Sequence, residues 1–299
     1  MPKHADAPGV ACASAASWTA TGDAAALSGM GGVSSDLGVA VCLVGFVRTL
    51  GRPDVYRSLA SHFHSHAGMH ADFFGVVSSG GDDTAKGQWA DVPADEYAPA
   101  LRALQPAAWD DFVDHRGHRC GLLCMRQYDR LSRCREMIEE REQRCGGTYA
   151  WVVKARPDVT VSAGGARNAA APRTLAADGL HISENVVYKD RRAGDMVVYM
   201  PRRLLGNVSR VLAETPCDEV RRHGVDCTHA AAATGGGNCK CNAWLSVGVA
   251  RVLGLRLAYH SYRVEVVRTH AAHDVIERAR RRFGGDGMRA LHNKSREVL

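Results

Sequence analysis

From Gly38 onward, unbroken apolar runs alternate with stretches whose apolar residues recur every three or four positions. Val39-Ala-Val-Cys-Leu-Val44, running into Gly45-Phe-Val-Arg48, has the pattern of a strand buried on both faces. Pro53 opens a segment with Val55, Leu59 and Phe63 at four-residue spacing, which predicts an amphipathic helix to about His66. Ala71-Asp-Phe-Phe-Gly-Val-Val77 predicts a second strand, closed by a Ser-Ser-Gly-Gly-Asp-Asp turn. Residues 82–118 contain Pro93, Pro99 and Pro106, which interrupt any long element, so a connecting excursion with short helices is expected there. Between about Cys120 and Arg144 the positions Cys124, Tyr128, Leu131, Ile138 and Cys145 trace a helical stripe through charged sequence, and Gly146-Gly147 stop it.

Beyond that stop, Tyr149-Ala-Trp-Val-Val153 predicts a short buried strand leading directly into Lys154-Ala-Arg-Pro-Asp158, followed by a Gly/Ala/Arg-rich loop. Leu180-His-Ile182 and Met196-Val-Val-Tyr-Met200 predict further strands, and Pro201 leads into a helix from about Arg203 to Ala213. Ala243 to Leu253 has helical periodicity ended by Gly254, and Leu255 to Tyr259 and Val264 to Val267 predict closing strands. No internal repeat of useful length is present. Alternation on this scale predicts an α/β protein, a three-layer α/β/α sandwich around a mainly parallel, doubly wound sheet. Its binding residues then belong on loops at the carboxyl ends of strands.

Composition sets the boundaries. The first 38 of the 299 residues are mostly Ala, Gly, Ser and Thr without a sustained period and read as a disordered, low-complexity tail. Residues 39–285 read as one catalytic-size domain, and 286–299 as a C-terminal tail. With 45% hydrophobic and 23% charged residues the composition is globular, and no apolar stretch approaches the roughly 18 residues of a membrane helix. Gly9 to Trp18 is too weakly apolar for a signal-peptide core, and Asp6, Asp23 and Asp36 argue against a transit peptide.

The net charge of +6, with an isoelectric point near 8.8, favours anionic partners without choosing among them. The densest run, Arg278-Ala-Arg-Arg-Arg282, has only Phe283 as an aromatic neighbour and reads as a solvated helix face, so no nucleic-acid partner is expected. Ten cysteines leave the redox compartment open. Cys217, Cys227, Cys239 and Cys241 share a Gly/Ala-rich segment, and Cys239-Lys-Cys241 lacks the C-x-x-C knuckle spacing. Loop disulfides are therefore favoured there over structural zinc, with reduced thiols as the remaining alternative. Two sequons, Asn207-Val-Ser209 and Asn293-Lys-Ser295, lean with the cysteines towards a secretory lumen such as the Golgi.

For chemistry, Gly45-Phe-Val-Arg-Thr-Leu-Gly51 has neither a dinucleotide-binding nor a phosphate-cradling glycine pattern. Arg48 is placed to contact an anionic ligand beyond the first strand, against surface solvation or a local ion pair. Asp158 offers hard oxygen suited to Mg²⁺ or Mn²⁺, and Lys154 and Arg156 could face the charge of a phosphate leaving group. The alternative is a loop ion pair between Arg156 and Asp158. His62, His64, His66 and His70 crowd one helix end, where only part of the set shares a face, so adventitious surface metal binding is the expected meaning.

The stretch Tyr149 to Asp158, the preceding Gln127-Tyr-Asp-Arg-Leu-Ser-Arg-Cys134 and the following Gly194-Asp-Met-Val-Val-Tyr-Met-Pro-Arg202 resemble a group of plant, algal and viral glycosyltransferase-like proteins. They are also similar to a bacterial lipopolysaccharide-synthesis family. The likeness covers roughly residues 39 to 270. It implies a GT-A type nucleotide-diphospho-sugar transferase fold, a Mn²⁺ or Mg²⁺ cofactor, a nucleotide-sugar donor, and a glycan or glycoconjugate acceptor. Within it, Arg-x-Asp resembles a degenerate Asp-x-Asp metal motif with Asp158 as the matching acid and Arg156 at the place of the other. The resemblance further implies Asp195 for acceptor positioning or base work, where a turn cap is the alternative, and His270 or His273 as an added metal ligand. Relatives often carry an acid where this chain has Asn242. Two other readings stand beside it: a glycan- or nucleotide-binding module that has lost catalysis, and a zinc-stabilised interaction domain built on Cys217 to Cys241.

Overall fold

The computed structural model describes residues 12, 37–65, 71–79, 92–112, 125–163, 178–183, 196–225, 244–245, 247–260 and 262–267. Its first unit is β1 (Val39–Phe46), α1 (Pro53–Ala60) extended by a π-helical turn (Ser61–Ser65), and β2 (Ala71–Ser78). All of β2 and six of eight β1 residues are buried, as continuous apolar runs require in a sheet covered on both faces. β1 and β2 pair in parallel, Val39 opposite Ala71 through Phe46 opposite Ser78, which obliges the chain to cross back through α1.

Next come α2 (Ala94–Leu104), β3 (Ala108–Asp111), α3 (Met125–Cys145), β4 (Trp151–Ala155) and β5 (Val159–Ala163). They are followed by β6 (Gly179–Ser183), β7 (Val197–Pro201), α4 (Arg202–Glu214), α5 (Cys217–Arg222), a π-helical turn (Gly248–Val252), β8 (Arg256–His260) and β9 (Tyr262–Val266). The main sheet has seven strands in the order β3-β2-β1-β4-β7-β6-β8. Only β7 runs against its neighbours β4 and β6, so the sheet is mixed but mostly parallel. A second sheet of two antiparallel strands pairs β5 with β9.

Alternate residues of the strands feed two cores. Ala40, Cys42, Val44 and Val152 face α3 and α4 with Tyr128, Leu131, Leu205, Val208 and Trp244. Val41, Leu43, Phe73 and Val153 face α1, α2 and the small sheet with Val55, Leu59, Tyr97, Val159 and Val264. Layers on both faces of one sheet make this an α/β protein.

The amino edge of the sheet is fastened by buried polar groups. The Tyr149 hydroxyl donates to Asp72 Oδ2 at 2.5 Å, and Arg141 Nε lies 3.6 Å from the same oxygen. Arg202 binds both oxygens of Glu142, at 2.9 and 2.7 Å, tying α4 to α3. Disulfides join Cys42 of β1 to Cys134 of α3, and Cys12 to Cys145 at the end of α3. Cys217 is also disulfide-bonded, so it is not available as a zinc thiolate; Cys227, Cys239 and Cys241 lie outside the described residues.

Two strands depart from the sequence expectation, and one of the short helices expected in the excursion runs through a proline. The proline-rich excursion holds an 11-residue helix, α2, with Pro99 inside it, and a strand, β3. Burial of Tyr97, Ala100 and Leu104 outweighs the backbone bond that proline removes. Expected as loop, the residues after Asp158 form β5, whose edge is satisfied from α1: Val161 N–H donates to Ser58 Oγ at 2.6 Å, and that hydroxyl donates to Val161 O at 2.8 Å.

Candidate functional site

From β1 the chain moves outward to β2 and β3, then returns to lay β4 on the other side of β1. The strand order therefore reverses between β1 and β4, and in open α/β sheets the crevice outside the carboxyl ends at such a point is where ligands bind. Gly45 to Arg48 leave β1 there, and Arg156 to Asp158 leave β4 there, because the two strands are parallel with Leu43 opposite Ala155. Four backbone segments converge on this rim. A Cβ on Gly45 would lie 3.1 Å from Pro157 Cδ, Arg156 N–H donates to Met196 O at 2.9 Å, and Val267 N–H donates to Asp158 O at 2.8 Å. Thr49 Oγ1 donates to Val267 O at 3.2 Å, so Thr49, the neighbour of Arg48, is linked to Asp158 through a single residue of the chain leaving β9.

The side chains are arranged unequally. Asp158 accepts from Arg156 through both oxygens, Nε to Oδ1 at 2.9 Å and Nη2 to Oδ2 at 2.7 Å, the bidentate geometry of a strong charge-assisted pair. Arg156 keeps 25% of its side chain exposed and Asp158 only 4%. The guanidinium is thus the more exposed member of the pair. Arg48 lies over the Phe46 ring with its guanidinium carbon 5.0 Å from the ring centre, and Arg130 of α3 lies 5.1 Å from the same centre. Both approaches fall within cation–π range.

Of the residues expected to act, Arg48, Arg156 and Asp158 come together. Lys154 is buried and directed to the α3 face, where it lines a small apolar cavity with Tyr128, Leu131 and Val208 rather than the rim. Asp195, His270 and His273 lie outside the described residues; Met196 and Val267 are the nearest described positions to them in sequence. His62 is buried with Nε2 2.7 Å from the Tyr199 hydroxyl, whereas His64 is exposed, so these two do not form one metal face. His66 and His70 are likewise outside the described residues. Sequence reasoning missed Gly45, Phe46 and Arg130. Arg130 is almost fully buried yet sits in the charged part of the helix pattern, which gave it no signal.

A divalent ion at this rim needs several oxygen ligands, six or more for Ca²⁺ and an octahedral set for Mg²⁺. Among the described residues no group of three His, Cys, Asp or Glu side chains is arranged to hold a metal, and both Asp158 oxygens are engaged by Arg156. The described donor set does not fit the Mn²⁺ or Mg²⁺ that the resemblance implies.

The fold defines an α/β protein with an open, mostly parallel sheet whose strand order reverses between β1 and β4. No protein-family profile matches the chain, and no curated protein matches it. Among solved structures it is similar to a nucleoside-diphosphate-sugar pyrophosphorylase from Vibrio cholerae RC9, at 11% identity and a TM-score of 0.38 over 80% of this chain and 99% of that one. A likeness at that level carries no argument about chemistry. Among the described residues no helix is long and apolar enough to cross a membrane.

Proposed function

We propose that this protein is a GT-A type glycosyltransferase that moves a sugar from a nucleotide-diphosphate donor to a hydroxyl of a glycan or glycoconjugate. The observation that carries the reading is the switch-point rim, where Arg48 and Arg156 converge over the buried Asp158. In the reaction, the bond from the anomeric carbon to the donor's β-phosphate oxygen breaks, and the acceptor oxygen bonds to that carbon. The acceptor proton passes to a carboxylate, for which Asp195, the residue immediately before Met196, is the proposed base. The diphosphate leaves carrying the negative charge.

Arg48 and Arg156 stabilise that developing charge from fixed positions, which is where preorganised cations act most strongly. Asp158 fixes the Arg156 fork. The resemblance implied a metal held by Asp158 with His270 or His273, and no step here is routed through it.

Replacing Asp158 by Asn removes one anionic anchor while keeping one acceptor oxygen. Donor hydrolysis or transfer with a panel of nucleotide sugars is expected to fall about 100-fold or more, with cooperative unfolding retained. Full turnover by the variant at saturating donor removes Asp158 from the mechanism. A second reading, a nucleotide- or glycan-binding module without catalysis, is favoured by the engagement of both Asp158 oxygens by Arg156. Calorimetric donor binding with no turnover across an acceptor panel selects it. A secretory lumen such as the Golgi is proposed as the compartment, supported by the disulfide-bonded positions among the described residues, Cys12, Cys42, Cys134, Cys145 and Cys217.

A further inference from the structure

Resting on the secretory compartment proposed above, we infer that Asn207 is an N-glycosylation site and carries an oligosaccharide on the solvent face of α4. The sequon Asn207-Val-Ser209 supplies the acceptor amide and, two residues on, the hydroxyl that this modification requires. The fold places the two groups differently. Arg203, Asn207, Arg210 and Glu214 are the exposed residues of α4, and their spacing of three or four positions makes them one stripe along the helix. Asn207 lies inside that stripe, with Leu204, Leu205, Val208 and Leu212 buried on the other side. A Cβ built on the preceding Gly206 meets no atom within 4 Å among the described residues. A bulky group on Asn207 therefore leaves the helix into solvent without displacing the core.

Ser209 points inward. It is fully buried, and its Oγ donates to Gly206 O at 3.2 Å, one turn back along the helix. An enzyme that must engage both the amide and the hydroxyl cannot reach the second once α4 has packed, so the modification precedes the folding of α4. In that step Nδ2 of Asn207 bonds to the anomeric carbon of an oligosaccharide carried on a lipid diphosphate. The bond from that carbon to the phosphate oxygen breaks, the amide proton passes to a carboxylate of the oligosaccharide transferase, and the lipid diphosphate leaves. Oδ1 of Asn207, which accepts from Arg210 Nη2 at 3.0 Å in the folded helix, is not consumed, so the glycosylated residue can keep that contact. The Cys42–Cys134 disulfide in the core independently calls for folding in an oxidising lumen, where such transfer also takes place.

The full chain is expressed behind a cleavable signal peptide in a glycosylating secretory host. Each preparation is divided between peptide-N-glycosidase digestion and thiol alkylation in denaturant. Digestion of wild type is expected to speed migration on a denaturing gel. Asn207→Gln and Ser209→Ala are each expected to remove a shift of one glycan, read on the polypeptide whether or not the variant folds. Asn293→Gln, in the sequon outside the described residues, is expected to retain it. A chain with Cys42 and Cys134 protected from alkylation, whose migration digestion leaves unchanged or whose shift disappears entirely with Asn293→Gln, overturns the inference and leaves the compartment standing. A chain whose Cys42 and Cys134 alkylate after passage through that lumen overturns both.

Discussion

Gly45 shows how one missing side chain shapes the rim. Its φ of +142° lies where L residues are strained, and the space a Cβ would take is 3.1 Å from Pro157. Gly45→Ala is expected to cost about 1–3 kcal/mol in urea unfolding. It should also displace the Arg-Pro-Asp turn and weaken UDP binding in the same preparation. A second effect concerns pH. Burial first, and then the Asp72 carboxylate, push the Tyr149 phenol well above its ordinary value, and burial does the same for Tyr199. A group whose folded pKa is raised contributes stability that is present below the unfolded value, about 10 for tyrosine, and is lost as pH rises through it. Unfolding free energy should thus fall above about pH 10, with a shallower fall in Tyr149→Phe and Tyr199→Phe. Tyrosinate absorbance in the native protein should lag behind that of the unfolded chain. Among single residues, the sequence left Asp158 open between metal ligand and ion-pair partner. Both alternatives use the same residue types at the same spacing, and only the distances to Arg156 distinguish them.

Elements differ in how plainly they are written. β1, β2 and α3 were legible because each repeats its period over eight or more residues and buries most of the apolar positions concerned. β3 and β5 were not. Their stability comes from partners remote in sequence, as when Ser58 of α1 completes the edge of β5 across 103 residues. β5 is a five-residue strand that reads as loop until Val159 and Val161 are seen buried against α1 and β9. The Cys42–Cys134 disulfide joins two legible elements at a separation of 92 residues. Closing a loop of that length removes enough unfolded-chain entropy for Cys42→Ala with Cys134→Ala to cost roughly 4 kcal/mol, within a range of about 2–5. Urea unfolding of the double variant against wild type measures it, and no change in midpoint would refute the cross-link.

Two groups of charges lie at opposite edges of one sheet, and the proposed function gives them different work. At the amino edge Asp72, Tyr149 and Arg141 form a buried network, while Arg48, Arg156 and Asp158 lie at the carboxyl edge. Asp72→Asn is expected to lose about 3–5 kcal/mol of stability, because it leaves Arg141 buried beside a neutral group, with diphosphate affinity unchanged while the protein stays folded. Arg48→Ala is expected to do the reverse. Affinity should fall about tenfold and more steeply at low salt, while stability changes by no more than about 1 kcal/mol. Parallel thermal and calorimetric measurements on the two variants check the separation, and a large stability loss in Arg48→Ala would contradict it.

The sequence by itself determined the α/β class, the main strands and the two helices that cover one face, since periodicity records which residues must leave water. It also put Arg48, Arg156 and Asp158 at strand ends. Tertiary structure alone decided that β1 and β4 lie side by side with the strand order reversing between them, and that β7 runs antiparallel. It also turned Lys154 beneath the helices and set Arg156 in front of Asp158. Those outcomes depend on pairings between residues far apart along the chain, whose free energy appears only when the whole sheet closes, and no local pattern encodes them.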